Sequence, residues 1–138
     1  MNEISYFNYA RDASKFSTFH KNHTGCVIVY KKHIISIGFN SSKTHPIQKI
    51  YNKERFSEDN TPHCLHAEIS ALIFIKDRED IKWNNVEVYT YRENKYGEPR
   101  MAKPCKSCMR MIKSLGIRKI HYTTNGGFDS EILKFQEI

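Results

Sequence analysis

Val86-Glu87-Val88-Tyr89-Thr90-Tyr91, then Pro104-Cys105-Lys106-Ser107-Cys108, then Ile117-Arg118-Lys119-Ile120-His121-Tyr122 are the segments from which the fold is read. The first and last are short runs of β-branched and aromatic residues, the composition of strands. Between them Met109, Ile112 and Leu115 recur at helical spacing, which predicts a helix over 105–115 ended by Gly116. Glu93–Lys103 reads as a loop ahead of it. A strand, a helix and a second strand in that order predict a right-handed crossover joining two parallel strands.

Working outward, Ala67, Ala71, Leu72 and Ile75 predict another helix over 65–78. Before it lies a long polar stretch, 40–64, read as a loop of the length that is often functional. Gly25–Tyr30 and Ile34–Phe39, separated by Lys31-Lys32-His33, predict a β-hairpin. Ile4, Tyr6, Phe7, Tyr9, Ala10, Ala13, Phe16 and Phe19 predict a first helix over 3–20. Asn125-Gly126-Gly127 reads as a turn followed by a short tail. The expected architecture is α/β, with a mixed sheet and helices on both faces. In such sheets ligands bind at the carboxyl ends of parallel strands, beside the helices that follow.

The chain has 138 residues, 39% of them apolar and 27% charged, enough for one packed domain over 1–138. No apolar run approaches the roughly 20 residues needed to span a bilayer, so no membrane role is expected. The first residues show no secretory leader, and the expected location is cytoplasmic. Twenty-two basic against fifteen acidic residues leave a net charge of +7. From Arg100 to Lys119 there are seven basic residues and no acid. Such a surface attracts phosphate, on a free nucleotide or on a polynucleotide, although it is also what an ordinary solvated face looks like.

Chemistry concentrates at two helix starts, His66-Ala67-Glu68 and Pro104-Cys105-Lys106-Ser107-Cys108. One imidazole and two thiolates suit Zn2+, and three protein ligands leave a fourth position for water. Glu68, two residues from His66, is poorly placed to ligate beside it but well suited to move protons. Zinc brings the pKa of its water to about 7, which gives hydroxide at neutral pH; attack of such a hydroxide on an amidine carbon, followed by protonation of the leaving amine, is hydrolytic deamination. Taken alone, the Cys pair is also compatible with a redox dithiol, and Glu68 with a helix-start carboxylate.

His-x-Glu followed by Pro-Cys-x-x-Cys is the signature of zinc nucleobase deaminases. Together with Gly25–Val29, Gly38-Phe39-Asn40, the run from His66 to Leu72, and Gly116-Ile117-Arg118-Lys119-Ile120, it resembles the cytidine and deoxycytidylate deaminase superfamily over most of the chain. The resemblance implies a three-layer α-β-α sandwich with a central mixed sheet of four to five strands. It implies His66, Cys105 and Cys108 as zinc ligands and Glu68 as the proton shuttle. It also implies Ala67 against the base, Asn40 at the sugar, and a homo-oligomer. Only sixteen residues follow the fourth strand, so a fifth strand is expected to be short or missing.

For the phosphate, Lys43, Arg92 and Lys103 are the leading groups; Tyr91, Tyr96 and Arg100 lie with Arg92 and Lys103 in the segment leading into the cysteines. The expected activity is deamination of a small cytosine nucleotide, dCMP-like. The alternative is action on cytosine or adenine in single-stranded DNA or RNA, favoured by the +7 charge. A binding module with purely structural zinc would not need Glu68. Some deoxycytidylate deaminases carry a second, structural zinc, for which His45, His63 and Cys64 are the available donors, without a clean ligand spacing. Cys26, inside an apolar strand, reads as core, and His20, His23, His33 and His121 as surface or core residues.

Overall fold

The computed structural model describes residues 2–19, 22–52 and 64–134; His20 and His63 lie outside them. In chain order the elements are α1 (Glu3–Ser14), β1 (His23–Tyr30), β2 (His33–Phe39), α2 (Pro46–Asn52), α3 (Ala67–Ile73), β3 (Glu87–Glu93), β4 (Pro99–Arg100), α4 (Lys106–Leu115), β5 (Lys119–Thr124) and β6 (Gly127–Ile132). A single sheet runs β2-β1-β3-β5-β6, with β4 hooked onto β3. The pairs β1–β2, β1–β3 and β5–β6 are antiparallel. The pair β3–β5 is parallel and joined through α4, as the strand–helix–strand reading requires.

Alternation along β1 divides its side chains between two cores. Val27 and Val29, with Tyr89 and Tyr91 of β3, meet Tyr6, Phe7 and Ala10 of α1 on one face. Cys26 and Ile28, with Val88 and Ile120, meet Leu72 of α3 and Met111 and Ile112 of α4 on the other. This is the expected three-layer sandwich. Cys26 is fully buried, in agreement with its reading as core. Gly38 lets α3 lie directly on β2. A Cβ there would stand 2.4 Å from the Ala71 backbone nitrogen and 2.5 Å from the Ala67 carbonyl oxygen. Among the described residues no helix is long and apolar enough to cross a membrane.

Several expectations need correction: α1 ends at Ser14 where the spacing predicts helix to 20, and the expected loop Glu93–Lys103 carries the short strand β4. The tail after Asn125-Gly126 is a full six-residue strand, β6, which gives the sheet five strands in its main path and β4 as a sixth. Its side chains are mostly exposed, so no apolar alternation announces it. Polar links hold it instead: the Ser130 hydroxyl lies 2.6 Å from His121 Nδ1, and Tyr122 donates to Glu131 at 2.7 Å. His121 is buried, stacked on Tyr89 and bonded to Glu87 at 2.7 Å. The polar stretch 40–64 contains a helix, α2, whose buried residues are Gln48 and Asn52. Finally, α3 ends at Ile73, with turns where the periodicity predicts helix to 78.

Candidate active site

His66 and Cys105 occupy the N-cap positions of α3 and α4, both with extended backbone. Cys108 follows Cys105 by three residues, so both thiols share one face of the first turn. His66 is held from behind: its backbone N–H donates to Gln48 Oε1 at 3.0 Å, and Gln48 Nε2 donates to Asn52 Oδ1 at 2.9 Å. The short helix hidden in the polar stretch thus serves as a brace for the histidine.

His66 Nδ1 lies 3.5 Å from Cys105 Sγ and 3.3 Å from Cys108 Sγ, and all three donor atoms fall within 4.8 Å of one another. Zinc bonds of about 2.0 Å to nitrogen and 2.3 Å to sulfur, opened to a tetrahedral angle, place N and S roughly 3.5 Å apart. The donor set and its spacing therefore fit zinc. Cys105 is also in the ligating form. A hydrogen bond from the Cys108 thiol, and His66 beside it, pull its pKa down to about 3 against the effect of burial. Among the described residues this is the one group of three such donors. The His45 ring accepts the Ile47 N–H at 3.1 Å, at the start of α2.

Glu68 sits in the first turn of α3 and is 5% exposed. Burial pushes its carboxyl pKa up, with the His66 charge working in the opposite direction. A carboxyl raised in this way holds and releases a proton more readily near neutrality than a solvated one.

His66, Ala67, Glu68 and Cys105 form part of the wall of a pocket of about 260 Å³. Of the substrate-contact candidates, Asn40, Ala67, Arg92 and Lys103 also line it. Lys43 does not; it is exposed at the start of the loop after β2, and charge alone carried no information on its direction. Asn40 is 5% exposed and its amide is committed to the scaffold. Its Oδ1 accepts the Thr24 N–H at 2.9 Å, and its Nδ2 donates to the Asn22 carbonyl at 3.0 Å. Lys103 Nζ lies 2.9 Å from Glu131 Oε2 of β6.

Thr24, Thr90 and Met101 also line the pocket, without any motif to announce them. Thr90 follows from strand alternation: with Val88 and Arg92 it shares the α3–α4 face of β3. Thr123 was equally silent in sequence. It is buried, accepts the Arg92 N–H at 3.1 Å, donates its hydroxyl to the Arg100 carbonyl at 2.7 Å, and its own carbonyl accepts the Ala102 N–H at 2.9 Å. It thereby ties the end of β5 to the segment that leads into Cys105.

Residues 2–124 match the family described as the cytidine and deoxycytidylate deaminase zinc-binding region. No curated protein matches the chain. Among solved structures, the apo dCMP deaminase of the cyanophage S-TIM5 is similar at 22% identity and a TM-score of 0.61, over 88% of this chain and 84% of that one. The same phage enzyme in complex with dCMP and dUMP gives 19% identity and 0.60, over 88% and 82%. A cytidine deaminase from Burkholderia pseudomallei gives 15% identity and 0.65, over 96% and 93%. At these identities the structural likeness speaks for the fold.

Proposed function

This chain belongs to the cytidine and deoxycytidylate deaminase family, a zinc-binding family of hydrolytic deaminases, and from that premise we propose that its substrate is a small cytosine nucleotide of the dCMP type, converted to the uracil nucleotide with release of ammonia. The observation that carries the reading is the buried Glu68 carboxyl sharing a pocket wall with two members of a zinc-competent His-Cys-Cys set.

In this reading His66, Cys105 and Cys108 hold the metal. When bound, zinc supplies the Lewis acidity that makes water a nucleophile at neutral pH. Glu68 would take one proton from the attacking water and pass it to the ring nitrogen of the amidine, then carry the remaining hydroxyl proton to the departing amine, so that a C=O bond replaces the C–N bond and ammonia leaves. The Ala67 backbone lies against the base. Asn40, through its bonds to Thr24 and Asn22, shapes the wall at the sugar.

A second reading, action on single-stranded nucleic acid, is favoured by α4, which exposes Lys106, Arg110 and Lys113 in a stretch without acids. Ammonia release is to be measured from cytidine, dCMP, dCTP, a cytosine-containing DNA strand and an adenine-containing RNA hairpin. Release from dCMP or dCTP but from neither oligonucleotide is the expected result. Release from the oligonucleotides alone would replace it with strand deamination. Cys105→Ser is expected to lose zinc, read by metal analysis of the purified protein, with activity falling in proportion. A stoichiometric zinc content in that variant would remove Cys105 from the ligand set.

A further inference from the structure

Three cations were candidates for a substrate phosphate, and the structure separates them. Lys43 lies off the pocket, and Lys103 is paired with Glu131. Arg92 lines the pocket, is exposed, and makes no side-chain ion pair or hydrogen bond among the described residues. Resting on the deaminase reading above, we propose that Arg92 determines substrate class: it binds the phosphate of the nucleotide and sets a preference for the nucleotide over the corresponding nucleoside.

The placement supports this role. Arg92 pairs with Thr24 across β1 and β3, so both side chains stand on the pocket face of the sheet. Thr90, buried beside Cys26, lies two residues earlier on the same face. Two strand residues span about 6.6 Å. The Arg92 backbone therefore stands about 6.6 Å further along the pocket face of β3 than that of buried Thr90, and its side chain is exposed where that of Thr90 is not. Its backbone is fixed rather than free. The Arg92 N–H is held by Thr123, and Arg92 pairs with Arg100 in the β3–β4 ladder. A charged fork on a fixed backbone matches a phosphate, which accepts two parallel N–H bonds. Among the described residues Lys103 has Glu131 as a partner, so of the three candidates Arg92 is the pocket-lining cation without a charged one.

The test compares zinc-loaded wild type with Arg92→Gln and Arg92→Lys on dCMP and on deoxycytidine. Phosphate contact made equally in ground and transition states raises KM and leaves kcat alone when it is lost. For Arg92→Gln the KM for dCMP is expected to rise about 10- to 100-fold, the range of a charge-assisted bond. Its kcat should stay within about 3-fold, and deoxycytidine kinetics should be unmoved. Arg92→Lys should fall between, since it keeps the charge and loses the fork. In an inactive Glu68→Gln background, calorimetric titration with dCMP should show the same loss of affinity when Arg92→Gln is added. Equal effects on dCMP and deoxycytidine, or no effect on either, would overturn the assignment while leaving the deaminase reading intact. Wild type that releases ammonia from neither compound would overturn both together.

Discussion

Glu68→Gln is expected to lower kcat by at least 10²- to 10⁴-fold, the usual worth of a positioned general acid–base, while zinc content and thermal midpoint stay at wild-type values. Glutamine keeps the volume and an acceptor oxygen, so the buried site at the start of α3 remains filled. It cannot take up and return a proton. The same carboxyl is asked to serve both the attacking water and the leaving amine, so its loss strikes two steps of one turnover. Ammonia release, metal analysis and a melting curve on the same preparation are the measurements. A variant that retained a tenth of wild-type kcat would remove Glu68 from the chemistry.

The second large effect concerns Gly38. Gly38→Ala is expected to lower Tm by roughly 10 °C or more, on the scale of overpacking a well-filled core, and to weaken zinc retention. The added methyl would meet backbone atoms of Ala67 and Ala71. Backbone cannot swing aside as a side chain can, so α3 must lift from β2. The lift moves Glu68 and the adjoining His66 relative to the two cysteines on α4. Gly126→Ala is the contrast, since an added Cβ there meets nothing within 4 Å; its Tm should stay within about 2 °C of wild type. A Gly38→Ala protein as stable as Gly126→Ala would mean that the helix–sheet contact yields freely.

These two positions show how far the residues could be read in advance. That His66, Glu68, Cys105 and Cys108 come together was legible because the roles proposed for them demand particular side chains at tight spacing. The sheet was legible wherever burial imposed a period of two, as along β1. Where polar bonds did the holding, periodicity was silent. β6 is anchored through Ser130 and Glu131, and α2 is buried through Gln48 and Asn52. The wall of the pocket was legible only in part: Asn40, Ala67, Arg92 and Lys103 were expected there, whereas Lys43 is not part of it. Lys43 and Lys103 have the same chemistry, and only the fold decides that one points elsewhere and the other meets Glu131. Asn40 was visible as a residue, but its use as a clamp on Thr24 and Asn22 depends on where β1 begins.

The braced histidine has a thermodynamic consequence as well. His66 and Cys105 are 39 residues apart in sequence, yet their donor atoms lie side by side. An ion shared between them acts as a cross-link that closes that loop in the folded chain and finds no ready-made counterpart in the unfolded one. By linkage, such an ion shifts the folding equilibrium in step with its free concentration. A zinc ion held there would also fasten the seam between α3 and α4, and the resistance of this protein to unfolding would become a readout of zinc supply.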